Sequence, residues 1–129
     1  MAVIKKFRIK SFKEDKTLLE LQKVSMFYNK RQILSDLNLK INKNEVLGML
    51  GPNGVGKSTI FHIITGLKDP SYGKVLINNI DCTDIPIYER CTRFKVGYVP
   101  QYGGFLQELT LHENLKLVAE IHIKEKSVR

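Results

Sequence analysis

Cysteine is scarce in this chain. Its 129 residues contain two, Cys82 and Cys91, at no spacing that suggests a disulfide pair or a metal site. A small disulfide-stapled scaffold is therefore excluded, and two free thiols in a reducing cytosol are expected. His62, His112 and His122 are scattered, with no two at a zinc-site interval. Long apolar runs are missing as well. None approaches the ~18 residues of a bilayer-crossing helix, and the N-terminus lacks the apolar core of a secretory signal. Any membrane role is thus expected to be one of docking. Acidic residues are also few, 13 against 21 basic, which leaves a net charge of +8.

The remainder has an ordinary soluble balance, 43% apolar and 26% charged, and enough length for one small core. The positive charge is concentrated at one end. Lys5, Lys6, Arg8, Lys10, Lys13 and Lys16 stand against only Glu14 and Asp15, half the net charge in an eighth of the chain. Residues 1–17 read as a basic, flexible arm. With Ile4, Phe7, Ile9 and Phe12 interleaved, the arm would also suit anionic lipid headgroups or nucleic acid. The solvated arm is the preferred reading.

Gly51-Pro-Asn-Gly-Val-Gly-Lys-Ser-Thr59 is the stretch around which the chain is organised. It satisfies G-x-x-x-x-G-K-[ST], between an apolar segment fit for a buried strand (45–50) and a segment that reads as a helix closed by Gly66. Strand, glycine loop and helix together make a polyphosphate cradle. Small residues let the backbone N–H groups of about residues 54 to 59 converge on phosphate oxygens at a helix N-terminus. Gly54 and Gly56 permit close approach, Lys57 would reach the β- and γ-phosphates, and the Ser58 hydroxyl would ligate Mg²⁺. The competing reading is an ordinary glycine turn entering a helix.

On either side the chain alternates between strands and turns. Residues 18–28 and 32–41 read as strands joined by a polar turn at 29–31, with Leu37, Leu39 and Ile41 on one face. Residues 67–73 form a turn punctuated by Pro70 and Gly73. A strand and polar hairpin are expected over 73–81, where Asn78 and Asn79 interrupt the apolar run and make Asp81 a turn residue. Residues 85–93 suit a short helix with Pro86 near its first position. Phe94-Lys-Val-Gly-Tyr-Val-Pro-Gln101 reads as an apolar strand ending in Pro-Gln. A glycine-hinged loop with Tyr102, Phe105, Leu106 and Leu109 comes next. Thr110-Leu-His-Glu113 is then a capping box opening a helix through about Ile121.

The aromatic at a strand end, the phosphate loop and the later Val-Pro-Gln resemble, in that order, the ATP-binding subunit of an ABC transporter. The resemblance implies an α/β fold, the N-terminal part of a P-loop NTPase, with an antiparallel β-subdomain leading into the phosphate-loop strand and helix. It covers residues 18–123 as one domain, with a polar tail at 124–129. By resemblance ATP and Mg²⁺ are the ligands. Tyr28 would stack on adenine, with Gly51, Asn53, Gly54, Gly56, Lys57, Ser58 and Thr59 on the phosphates. Gln101 would bridge Mg²⁺ and the attacking water, joining Lys57 in catalysis and Ser58 as a metal ligand. Filling the β-subdomain edge is the alternative role for Tyr28. The resemblance also implies transmembrane permease subunits as partners through residues 101–122, and a second ATPase subunit. Peripheral attachment to the cytoplasmic face of the inner membrane would accompany them. Packing in the domain's own core is the alternative for the 102–109 apolar residues.

The resemblance reaches only the first half of the family domain. The Leu-Ser-Gly-Gly signature, the Walker B aspartate, the glutamate after it and the switch histidine have no counterpart here. The chain is therefore expected to be a truncated product or fragment, inactive alone and with an unpaired edge on strand 45–50. Residues 84–90 with 96–101 resemble the lipopolysaccharide-export ATPase subfamily, with branched-chain amino-acid importers next. Rival readings are a non-catalytic nucleotide-binding module, a soluble ABC protein without a permease and, last, a P-loop protein associated with nucleic acid.

Overall fold

The computed structural model describes residues 3–8 and 16–122, with side chains from 16 to 120. Along the chain run β1 (Val3–Arg8), β2 (Thr17–Tyr28), β3 (Arg31–Asn42) and β4 (Glu45–Leu50), then α1 (Lys57–Thr65) and β5 (Tyr72–Ile77). After them come β6 (Ile80–Asp81), α2 (Ile87–Phe94) and α3 (Leu111–His122). β2 is the hub of a four-stranded antiparallel sheet in the order β3-β2-β5-β6. Two of the sheet's hairpins close on asparagine. Asn29 takes φ 53 between β2 and β3, and Asn78 and Asn79 take φ 51 and 62 between β5 and β6. Asparagine tolerates this left-handed region, which two-residue hairpin turns require.

One face of this sheet packs on α1. Leu21, Val24 and Met26 of β2, Leu34 and Leu39 of β3, and Val75 and Ile77 of β5 bury against Ile60 and Ile63. Strict alternation from Leu21 would send Val24 outward. A bulge at Lys23, which adopts φ 48, shifts the register with both neighbours and turns Val24 and Met26 inward instead. Each large apolar side chain so buried is worth roughly 1.5–3 kcal/mol.

Arg90 is the least expected core member. It is 0% exposed, and burial holds its guanidinium below the usual arginine range. Every nitrogen of the guanidinium donates. Nε donates to Ile85 O at 2.6 Å, Nη1 to Ile63 O and Ile64 O at 2.7 and 2.8 Å, and Nη2 to Cys82 O and Thr83 O at 2.6 and 3.0 Å. Two of those acceptors belong to the last turn of α1, where carbonyls have no helical partner and the helix dipole is negative. Arg90 thereby ties the end of α1 to the 82–85 turn and the start of α2.

The chain divides into two compact units, Met1–Val96 and Gly97–Arg129, where the sequence suggested one domain from 18 to 123. Two expectations need correction. Residues 3–8, read as part of a flexible arm, form β1, which runs antiparallel to strand 45–50 from Val3 opposite Leu50 to Arg8 opposite Glu45, while the other edge of that strand is unpaired among the described residues, as expected. Residues 95–100 form no strand. Phe94 ends α2, Lys95 takes φ 58 as its C-cap, and Val96 N–H donates to Arg90 O at 3.3 Å. An extended segment needs a neighbour to share its ladder, and the ladders among the described residues join only β1 to β6. The tail expected at 124–129 lies outside the described residues.

The second unit is built locally. Thr110 and Glu113 form the expected capping box: Thr110 N–H and Oγ1 donate to Glu113 Oε2 at 2.8 and 2.7 Å, and Glu113 N–H donates back to Thr110 Oγ1 at 3.3 Å. Asn114 then pins the preceding turn, accepting from Leu106 N–H at 2.9 Å and donating to the carbonyls of Leu106, Leu109 and Thr110.

Candidate nucleotide site

β4 delivers the chain to residues 51–56, and α1 begins at Lys57. Gly56 takes φ 98 as the N-cap, and a Cβ there would come within 2.9 Å of Leu34 Cδ2. The glycine thus lets the loop lie directly on β3. Gly54, at φ 85, faces nothing within 4 Å where a Cβ would stand. One glycine seats the loop on the core and the other keeps its mouth open. α1 has no side-chain cap and no acidic residue in its first turn, so the first-turn N–H groups, which lack helical acceptors, point out of the loop's end. At the far end Gly66 closes the helix as expected, with φ 83.

A cleft of about 250 Å³ opens at this point, lined by Tyr28, Ile33, Asn53, Gly54, Gly56, Lys57, Ser58 and Thr59. Most of the residues singled out for nucleotide contact are brought together there. Gly51 does not line it, while Ile33, from the start of β3, was not foreseen. The Lys57 ammonium turns back over the loop and donates to Gly51 O and, at 2.8 Å, to Pro52 O. The lining residues include one lysine, three hydroxyl-bearing side chains (Tyr28, Ser58 and Thr59) and the amide of Asn53, and none carries a carboxylate. Such a donor set fits a polyanion. The volume is small beside the ~300–1,000 Å³ of sites that enclose a whole ligand, so the cleft suits one end of a nucleotide.

Tyr28 stands at the rim as the last residue of β2, 39% exposed. The Lys68 ammonium lies 4.4 Å from its ring centroid and donates to the phenol oxygen. No local pattern could have indicated this contact, since the two residues are 40 positions apart. Gln101 belongs to the second unit, where it is exposed and donates from its amide to the Tyr102 hydroxyl at 3.3 Å. Asp81, expected to be a turn residue, instead ends β6, where it pairs with Leu76. Its carboxylate accepts from Thr83 Oγ1 at 2.6 Å and Thr83 N–H at 3.0 Å, which, with Lys74 nearby, holds it below the usual carboxylate range. Cys82 and Cys91 are free. Burial pushes the Cys82 thiol up, away from nucleophilic use. Among the described residues no helix is long and apolar enough to cross a membrane, and no cluster of three His, Cys, Asp or Glu could hold a metal ion.

A glycine loop with this lysine and serine, seated between a strand and a helix, defines a P-loop nucleotide-binding protein. The ABC transporter family profile matches residues 34–129, and the chain belongs to that family. It is 38% identical over 105 residues to the lipopolysaccharide export system ATP-binding protein LptB of Haemophilus influenzae, covering 81% of this chain and 43% of that protein. The Escherichia coli K12 protein of the same name is 32% identical over 103 residues, 80% of this chain and 42% of that one. Among solved structures, the ATP binding subunit of an ABC transporter superposes with TM-score 0.62 at 32% identity, covering 84% of this chain and 45% of that chain. The dimeric bacterial cassette MJ0796 superposes with TM-score 0.67 at 27% identity, over 83% and 49%. The fold is thus the N-terminal part of an ABC ATPase, and the chain spans less than half the length of these relatives.

Proposed function

We propose that the cleft at 53–59 binds the triphosphate of ATP, with Tyr28 at its rim stacking on the adenine. Main-chain N–H groups of the loop and the first turn of α1 receive the phosphate oxygens. Lys57 exchanges its two loop carbonyls for the β- and γ-phosphates, a charge-assisted pairing stronger than the one it leaves. Ser58 and Gln101 are the residues that would hold Mg²⁺, which when bound neutralises charge between the β- and γ-phosphates. Gln101 would also orient the attacking water. The one observation that carries this reading is a cleft free of carboxylates and lined by Tyr28, Asn53, Gly54, Gly56, Lys57, Ser58 and Thr59.

The complete protein would couple ATP hydrolysis to transport by a membrane permease, working as a pair of ATPase subunits at the cytoplasmic face of the inner membrane. Lipopolysaccharide export is the favoured cargo, supported by the similarity to LptB proteins; import of branched-chain amino acids is the alternative. The permease would dock on residues 101–122, where Tyr102, Phe105, Leu106, Leu111 and Leu115 are exposed apolar side chains. The 129 residues contain no Leu-Ser-Gly-Gly run, and this chain alone is expected to hold ATP without turning it over.

Competition binding tests the reading. Unlabelled ATP and inorganic tripolyphosphate should both displace a fluorescent ATP from the chain, and AMP should displace it poorly. Displacement by AMP as effective as that by ATP would place the affinity in the base and refute the phosphate cradle.

A further inference from the structure

The contact between Lys68 and Tyr28 has no role in the phosphate cradle. Lys68 is not among the residues lining the cleft, so it reaches the Tyr28 ring from outside. Its position is fixed by the backbone on both sides. Lys68 N–H donates to His62 O at 3.1 Å, within the turn that ends α1. Three residues on, Ser71 N–H donates to Ser25 O at 2.9 Å, and Ser71 Oγ accepts from Phe27 N–H at 3.0 Å. The 68–71 segment is therefore clamped at one end to the phosphate-loop helix and at the other to the strand end that carries Tyr28. The lysine sits between the clamps.

Tyr28 needs such a tether. It is the last residue of its strand and 39% exposed, so little packing holds its ring in one rotamer. An aromatic that must be ordered when its ligand arrives charges that ordering against the affinity, and one already held does not. We propose that Lys68 is a positioning residue for base recognition, its ammonium holding the Tyr28 phenol so that the ring stands ready for the purine of a nucleoside triphosphate. The role rests on nucleotide binding in the 53–59 cleft. It differs from that of Lys57, because Lys68 acts on the base through Tyr28 and makes no phosphate contact.

The two roles separate in a binding experiment on the 129-residue chain, with a ribose-labelled fluorescent ATP as probe and tripolyphosphate as competitor. Lys68→Met should weaken ATP roughly threefold to tenfold, the scale of ordering one side chain and losing one hydrogen bond. Tripolyphosphate, which has no base, should bind as before. Tyr28→Phe, which keeps the ring and removes the acceptor, should weaken ATP by a similar factor. The double variant should be no weaker than either single one, since both remove the same contact. Lys68→Arg, which keeps a cationic donor, should restore most of the affinity. Equal loss of ATP and tripolyphosphate would make Lys68 a phosphate ligand and overturn the proposal. So would unchanged ATP affinity in Lys68→Met, or additive losses in the double variant. If the unaltered chain binds neither ATP nor tripolyphosphate, nucleotide binding itself fails and this role falls with it.

Discussion

The two units of the chain are held together in opposite ways. Among the described residues every buried side chain lies in the first unit, and none from 97 to 120 is buried. The first unit is a sheet and a helix closed over Leu21, Val24, Ile63 and Val75, with Arg90 saturating the carbonyls at one end. The second keeps its shape by side chains that bond to nearby backbone, Thr110 with Glu113 and Asn114 with the 106–110 turn, while its apolar residues stay exposed. The proposed phosphate cradle needs atoms fixed to fractions of an ångström, and its residues lie on the packed unit. The proposed docking surface needs exposed apolar groups on a locally ordered frame, and the residues of the other unit offer both.

Substitutions that act on one unit alone would sharpen this contrast, and the largest effect is expected at Arg90. Arg90→Ala removes every hydrogen bond that the guanidinium gives to the carbonyls of Ile63, Ile64, Cys82, Thr83 and Ile85 and leaves a void in the core, at a cost of about 3 kcal/mol or more. A denaturant melt should show that loss, while helical amides of 111–122 keep their protection from hydrogen exchange. Loss of protection in both units together would mean that they fold as one. Thr110→Ala is the converse change, removing the cap of α3 at a cost of about 1 kcal/mol. Exchange should accelerate at residues 111–114 and stay unchanged in the first unit.

A pH titration divides the units again. The Thr110 hydroxyl and N–H hold the Glu113 carboxyl below its ordinary value of 4.5. A lowered folded-state pKa means that the charged box stabilises above the ordinary value and is lost as pH falls through the lowered one. Helicity of 111–122 should therefore decline below pH 4.5, and Glu113→Gln should blunt that dependence. The smallest effect is expected at Phe105, 70% exposed. Phe105→Ser should change stability by less than about 0.5 kcal/mol, whereas a large loss would show that its ring supports the fold.

What could be read from the sequence was local. Gly66 as the closing cap of α1, the Asn78-Asn79 turn, Pro86 ahead of α2 and the Thr110–Glu113 box each depend on residues within a few positions of one another. The glycine loop leading into α1 was legible for the same reason, because its glycines, lysine and serine all fall within residues 51–58. What escaped depends on distant neighbours. The apolar run 94–100 has strand composition, yet its first residues go to ending α2. β1 is defined by its pairing with β4 some forty residues on, which no periodicity encodes. Arg90 looked like one charge on a short helix, and only the approach of α1 from 26 and 27 positions away makes it a core residue. The Lys68 contact with Tyr28 is of the same kind.

One ammonium and the backbone around it are proposed to grip a triphosphate in the carboxylate-free cleft. Titration of Mg-ATP into the chain, beside the same titration of Lys57→Ala, tests it most directly. Losing a charge-assisted contact should weaken binding roughly tenfold to a hundredfold with the fold intact by circular dichroism. Equal affinity in the two proteins would contradict the account.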